Sequence, residues 1–213
     1  MTGSRQSGPD ALVDEVVGGS PVRCYAERPT SVVQVLEEAL SRSADDVLLV
    51  DPALGTSTTY DGFARLIEGA AATLRGRGLR TGDRVAVLAR NGLEAAVAIW
   101  ACARAGLVHV GLPVDAPAAR VAALLELTGA ALLLVQPDLE SVAREAAGDV
   151  PVADAADVLL GVETAWQHGV PLPDQDATYS LIPTSGTTGA PKAVRVTGRM
   201  SGTQRSPTCA PSA

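Results

Sequence analysis

The residues of this chain best suited to chemistry fall in one run of nine, Thr184-Ser185-Gly186-Thr187-Thr188-Gly189-Ala190-Pro191-Lys192. It offers hydroxyls at Thr184, Ser185, Thr187 and Thr188, glycines at 186 and 189, and an ammonium group at Lys192. Glycine lets the backbone turn tightly and bring its N–H groups close to a ligand. Hydroxyl and amide donors with a compact cation on a turn suit a polyphosphate. The spacing is not the Gly-x-x-x-x-Gly-Lys-Ser/Thr pattern that opens a helix. Lys192 follows Gly189 by three, and a strand-like stretch follows the lysine. The alternative is a flexible Ser/Thr/Gly linker. Against that stand the apolar runs on both sides, Tyr179-Ser180-Leu181-Ile182 and Ala193-Val194-Arg195-Val196-Thr197, which make the nine residues a turn between strands.

The elements that must position this turn are legible upstream. Ser31, with Gln34 three residues on, reads as a capping box opening a helix whose apolar stripe is Val32, Val35, Leu36, Ala39 and Leu40. Val47 to Val50 reads as a short strand and Thr58 to Tyr60 as an extended piece. Phe63, Leu66, Ile67, Ala70, Ala71 and Leu74 mark a helix by their spacing, ended by Gly76 and Gly78. From Asp83 the pattern is regular. Strands at 85–89, 107–112, 131–135 and 150–153 alternate with a helix capped by Asn91, one opening at Pro117 and one over 139–147. Such alternation implies right-handed crossovers. Uninterrupted apolar strands are buried on both sides. The expected fold class is α/β, a mostly parallel sheet with helices on both faces. A further helix is expected over 157–168, then a proline-bearing connector to Asp176. Residues 1–29 read as a disordered leader and 198–213 as a disordered tail.

Bulk properties narrow the function. At 213 residues and 46% hydrophobic the chain can bury a sizeable core, and with 3% aromatics that core is Ala, Val and Leu. A net charge of −7 argues against a nucleic-acid partner. The charge is uneven: no acid follows Asp176, while Lys192, Arg195, Arg199 and Arg205 make that end basic, as an anionic ligand would require. No uncharged apolar run reaches membrane-spanning length, and no signal-peptide core opens the chain, so a cytoplasmic location is expected. Cys24, Cys102 and Cys209 lack metal or redox spacing and read as free thiols. His109 and His168 are isolated, so no metal site or histidine-based triad is proposed. Trp100 reads as core, Trp166 as a cover for the sheet edge, and Asp83 and Arg84 as residues that position a turn.

Pro183 through Lys192 resembles the signature loop of the AMP-forming adenylating enzymes, which include acyl-CoA synthetases, nonribosomal peptide synthetase adenylation domains and luciferases. Thr58-Thr59-Tyr60-Asp61-Gly62-Phe63, Gly82 to Val87, and Ala105 to Asp115 resemble further blocks of that family, in order and spacing. The resemblance runs from about residue 30 to 199 and makes 30–197 a partial N-terminal adenylation domain. It implies a two-step ligase. A carboxylic or amino acid is activated with ATP and Mg2+ to an acyl-adenylate, and a thiol of coenzyme A or of a carrier protein takes the acyl group. Thr184, Ser185, Gly186, Thr187, Thr188 and Gly189 would then bind the phosphates of ATP. Lys192 would be the catalytic cation that neutralises the leaving pyrophosphate.

The sequence also departs from the family pattern. Ala193 stands where the family usually has glycine, and Gly198 where histidine is common. The adenine contacts, acyl pocket and late lysine expected of a full-length member are not found. Two alternatives to the ligase therefore stay open, a catalytically inactive truncated remnant and a partner-docking module. Arg120, after Pro117-Ala118-Ala119, resembles the amino-acid-activating branch, and a solvated helix position explains it equally well. A domain cut here is expected to expose apolar surface and to self-associate.

Overall fold

The structure, a computed structural model, describes residues 11–17, 19–26, 28–52, 55–171, 174–184 and 192–198. In chain order its elements are β1 (Leu12–Val17), β2 (Ser20–Tyr25), α1 (Val32–Ser43), β3 (Val47–Asp51), β4 (Thr56–Thr59), α2 (Tyr60–Gly76), β5 (Arg84–Leu88), α3 (Leu93–Ala105) and β6 (Val108–Gly111). There follow α4 (Ala118–Thr128), β7 (Ala130–Val135), a 3-10 turn (Pro137–Leu139), α5 (Glu140–Ala146), β8 (Val152–Asp154), α6 (Ala155–Leu159), β9 (Thr178–Thr184) and β10 (Lys192–Thr197).

The centre is a six-stranded sheet in the order β10-β9-β6-β5-β7-β8. Its pairs are parallel except β9 with β10, which is an antiparallel edge. Alternate residues of the strands feed two cores. Val85, Val87, Leu132 and Leu134 pack with α1, α2, α3 and α6 on one face. Ala86, Leu88, Val110, Leu133 and Val135 pack with α4 and α5 on the other. Burial on both faces explains why these strands read as continuous apolar runs. The mostly parallel α/β fold expected from the sequence is therefore present.

Local signals position the helices. Thr59 Oγ1 accepts from the Gly62 N–H at 3.1 Å and caps α2. All six residues of its expected stripe are buried. Gly106 and Gly129, at φ +73° and +58°, end α3 and α4 in the left-handed conformation that glycine adopts without strain. Arg84 fastens the second of these ends, donating to the carbonyls of Thr128 at 2.9 Å and Gly129 at 2.7 Å.

Several expectations are corrected. In α1 the buried residues are Val33 and Leu36, whereas Val35 is 42% exposed. Val33 extends that stripe on one side, so spacing alone leaves its rotation open. Asn91 does not cap α3; Gly92 occupies the N-cap and no side chain bonds there. The helix expected over 157–168 is only α6, and the chain from Gly161 to Pro171 is irregular. A β-carbon at Gly161 would run into the Asp157 carbonyl oxygen, so the chain there departs from a helix that other residues could continue.

The expected leader contains a hairpin, β1 with β2, closed at Val17 opposite Ser20. Gly18-Gly19, between the valine-rich run Leu12 to Val17 and a second extended stretch over 20–25, is a hairpin signal that the polar start of the chain obscured. Gly198, assigned to the tail, is buried, and a β-carbon there would run into the Thr30 carbonyl oxygen. Residues 1–10 and 199–213 lie outside the described residues.

Trp166 is partly buried against the core on the α2–α3 face of the sheet. The Arg104 guanidinium lies over its ring, 4.3 Å from the centroid. Arg104 is in turn buried against Glu68, with N–O distances of 2.8 and 2.9 Å, and donates to the Gln167 carbonyl. This ion pair joins α2 and α3 to the irregular segment that follows α6.

Candidate functional site

Because β9 runs parallel to β6, Thr184 leaves the sheet at the same edge as the carboxyl ends of β5 and β6. At that edge the chain splits. After β5 it turns to α3 on one face, and after β6 it turns to α4 on the other. Open α/β sheets bind ligands outside the carboxyl ends of their strands, where the crossovers diverge in this way. A cleft of about 530 Å³ opens there, with Arg90, Asn91, Pro113 and Asp115 among its walls. Arg90 is held in place by Asp138 at 2.9 Å.

Of the phosphate-binding residues expected from the sequence, Thr184 and Lys192 are described. Thr184 is the last residue of β9 and Lys192 the first of β10, and the two are register partners. The strand ends thus bring the hydroxyl and the ammonium-bearing residue together at the base of the turn. Thr184 is half-buried and Lys192 exposed. The two strands expected on either side of the turn, β9 and β10, are present and antiparallel. Ser185, Gly186, Thr187, Thr188 and Gly189 lie outside the described residues, as do Ala190 and Pro191.

Two residues, Arg120 at this edge and His109 inside the sheet, carry partners that sequence reasoning did not find. Arg120, in the first turn of α4, donates from Nη2 to the Thr184 carbonyl at 3.2 Å. His109 on β6 is buried beside Ser180 on β9, with Nδ1 and Oγ 3.1 Å apart. Burial pushes the imidazole pKa down to about 4, so it is uncharged at neutral pH. It therefore fastens β6 to β9 and adds no charge to the site. Each pair is more than sixty residues apart in sequence, and local sequence holds no signal for it.

Among the described residues neither Lys192 nor Arg120 has an ion-pair partner. No three His, Cys, Asp or Glu residues there come together as a metal cage. Cys24 and Cys102 are free and buried, and burial pushes the Cys102 thiol up to about 12. No helix among the described residues is long and apolar enough to cross a membrane.

Comparison with known proteins fits this arrangement. The model of the family described as AMP-binding enzyme matches residues 36–204. Vanchrobactin synthetase VabF of Vibrio anguillarum is 35% identical over 136 residues, which are 64% of this chain and 5% of that protein. The medium/long-chain-fatty-acid–[acyl-carrier-protein] ligase FadD10 of Mycobacterium tuberculosis is 30% identical over 194 residues, 86% of this chain and 36% of the ligase. The structure of o-succinylbenzoate coenzyme A synthetase (MenE) from Bacillus subtilis, in complex with AMP, superposes with a TM-score of 0.65 at 26% identity. That match covers 76% of this chain and 41% of the synthetase. The chain thus spans about a third of the ligase and a few per cent of the vanchrobactin synthetase. With a family model matched over most of its length, and the same mixed α/β architecture in a solved relative, the chain belongs to the AMP-binding enzyme family.

Proposed function

We propose that this chain is the N-terminal part of an ATP-dependent AMP-forming ligase and carries the loop that grips the pyrophosphate. The observation that supports this most is the base of the loop. Thr184 and Lys192 face one another at the carboxyl edge of a parallel sheet, where such folds hold ligands. In the proposed reaction a carboxylate oxygen of the acid attacks the α-phosphorus of ATP. The bond to the bridging oxygen breaks and pyrophosphate leaves, giving an acyl-adenylate. Thr184, Ser185, Gly186, Thr187, Thr188 and Gly189 donate hydrogen bonds to the β- and γ-phosphates. Lys192 neutralises the charge that collects on the leaving group. Stabilising charge where it develops is the largest contribution that a preorganised site makes.

Mg2+ accompanies ATP in this reading. The described residues form no cage for it, which fits an ion carried mainly by phosphate oxygens and water. A thiol, of coenzyme A or of a carrier protein, then takes the acyl group and releases AMP. The proposed division is a leader over 1–29, a partial adenylation domain over 30–197 and a tail over 198–213, in a cytoplasmic protein. Within it the β1–β2 hairpin and the buried Gly198 extend the folded body into both flanks.

A second reading, a partner-docking module without catalysis of its own, is favoured by the outer strands. Ile182 on β9 and Val194 on β10 are register partners, 54% and 47% exposed. ATP–pyrophosphate exchange decides between them. The purified chain is assayed with a panel of carboxylic and amino acids, alone and mixed with the later part of a related ligase supplied as a separate polypeptide. Exchange in the mixture supports the ligase reading. No exchange in either preparation overturns it.

A further inference from the structure

On the side that faces β6, the end of β9 is held by a side chain where that strand would ordinarily hold it. β9 is paired with β6 only at Ser180 and Leu181. Its last three residues, Ile182 to Thr184, run past the final register partner on β6 and keep strand partners only on their other side, in β10. Carbonyl groups freed from a ladder need another donor. At Thr184 that donor is Arg120 Nη2, 3.2 Å away and 64 residues distant in sequence. Arg120 is half-buried and has no carboxylate partner among the described residues. Hydrogen bonds from an ionised donor are shorter and stronger than those between neutral groups. The helix that carries Arg120 is itself anchored, because Val121, Leu124 and Leu125 are buried in the core beneath it.

We infer that Arg120 is a positioning residue that ties the carboxyl end of β9 to α4 and so fixes where Thr184 and, through its register partner, Lys192 stand. The consequence for ligand binding rests on the function proposed above; the mechanical tie does not. An anion held by Thr184 and Lys192 would meet groups already placed, and without Arg120 part of the binding energy would be spent on ordering them. Arg120 need not touch the ligand for this. Its position on α4 means that any shift of that helix is felt at the base of the turn.

Hydrogen exchange on the intact chain tests the tie directly, comparing wild type with R120M and R120K. Methionine keeps much of the stem and removes every donor, whereas lysine keeps a cationic donor able to reach a carbonyl. R120M is expected to speed exchange about tenfold in peptides covering 180–184 and 192–197, the ratio that follows from losing one hydrogen bond to a charged donor. Peptides from β5 and β7 should be unchanged, and R120K should restore most of the protection. Equal exchange in wild type and R120M overturns the inference. So does a uniform rise that includes β5 and β7, which would assign Arg120 to overall stability. A parallel titration with magnesium–ATP separates this inference from the proposed function. If no protein binds the nucleotide, the function fails and the exchange data still judge Arg120. If wild type binds, R120M should bind roughly tenfold more weakly, with R120K in between.

Discussion

Replacing His109 with glutamine should remove an acid-sensitive weakness from the centre of the sheet. His109 stands in β6 opposite Val85 on one side and Ser180 on the other, buried and within 3.1 Å of the serine hydroxyl. Burial disfavours the imidazolium and lowers its pKa from 6.5 to about 4. Between those values the unfolded chain binds a proton that the folded chain excludes. Stability from this group is therefore complete above about pH 6.5, falls as the pH drops and is fully lost below about 4. At roughly 1.4 kcal/mol per pKa unit the whole effect is about 3 kcal/mol, of which about 2 kcal/mol is gone by pH 5. Glutamine retains a donor and an acceptor near Ser180 and does not titrate. Urea unfolding of wild type and H109Q at pH 7 and pH 5 measures the difference. Wild type should lose about 2 kcal/mol more than H109Q between the two pH values. Equal losses would show that His109 is not held neutral by the fold, whatever H109Q does to absolute stability.

Two further predictions concern packing. Removing Arg104 takes from buried Glu68 its close partner and leaves it only Arg75 at 4.0 Å and the Gln167 N–H, so R104M should cost about 3 kcal/mol in urea unfolding, and E68M/R104M should recover much of it. A double variant no more stable than R104M would contradict this account of the pair. Gly198 is packed against the Thr30 carbonyl, so G198A should destabilise the chain by about 1–3 kcal/mol in the same assay. An unchanged midpoint would place Gly198 outside the folded body.

Much of the fold is legible in the sequence because parallel strands buried on both faces leave dense apolar runs. Val85 to Leu88 and Leu132 to Val135 are of this kind, and the helices between them carry clear stripes, as α2 does. The errors fall where two signals compete or where contact is remote. Gly18-Gly19 follows one valine-rich run, Leu12 to Val17, in a segment whose polar start suggests a leader, and that start hides the hairpin. Trp166 has an apolar side chain, but its place is set by Arg104, more than sixty residues earlier in the chain. At the site, the turn between β9 and β10 is readable from composition and flanking strands. Arg120 is not, because its partner is a backbone carbonyl on another element and no residue type advertises such a bond. His109 likewise appeared isolated, since Ser180 becomes its neighbour only when β6 and β9 pair.

The central claim is that the turn based on Thr184 and Lys192 holds the phosphates of ATP. Calorimetric or NMR titration of the chain with magnesium–ATP and with pyrophosphate, for wild type and K192M, tests it most directly. Losing one charge-assisted contact at roughly 1.5–3 kcal/mol predicts that K192M binds both ligands about ten- to a hundredfold more weakly. Affinities that are unchanged when the Lys192 ammonium is removed would contradict the account.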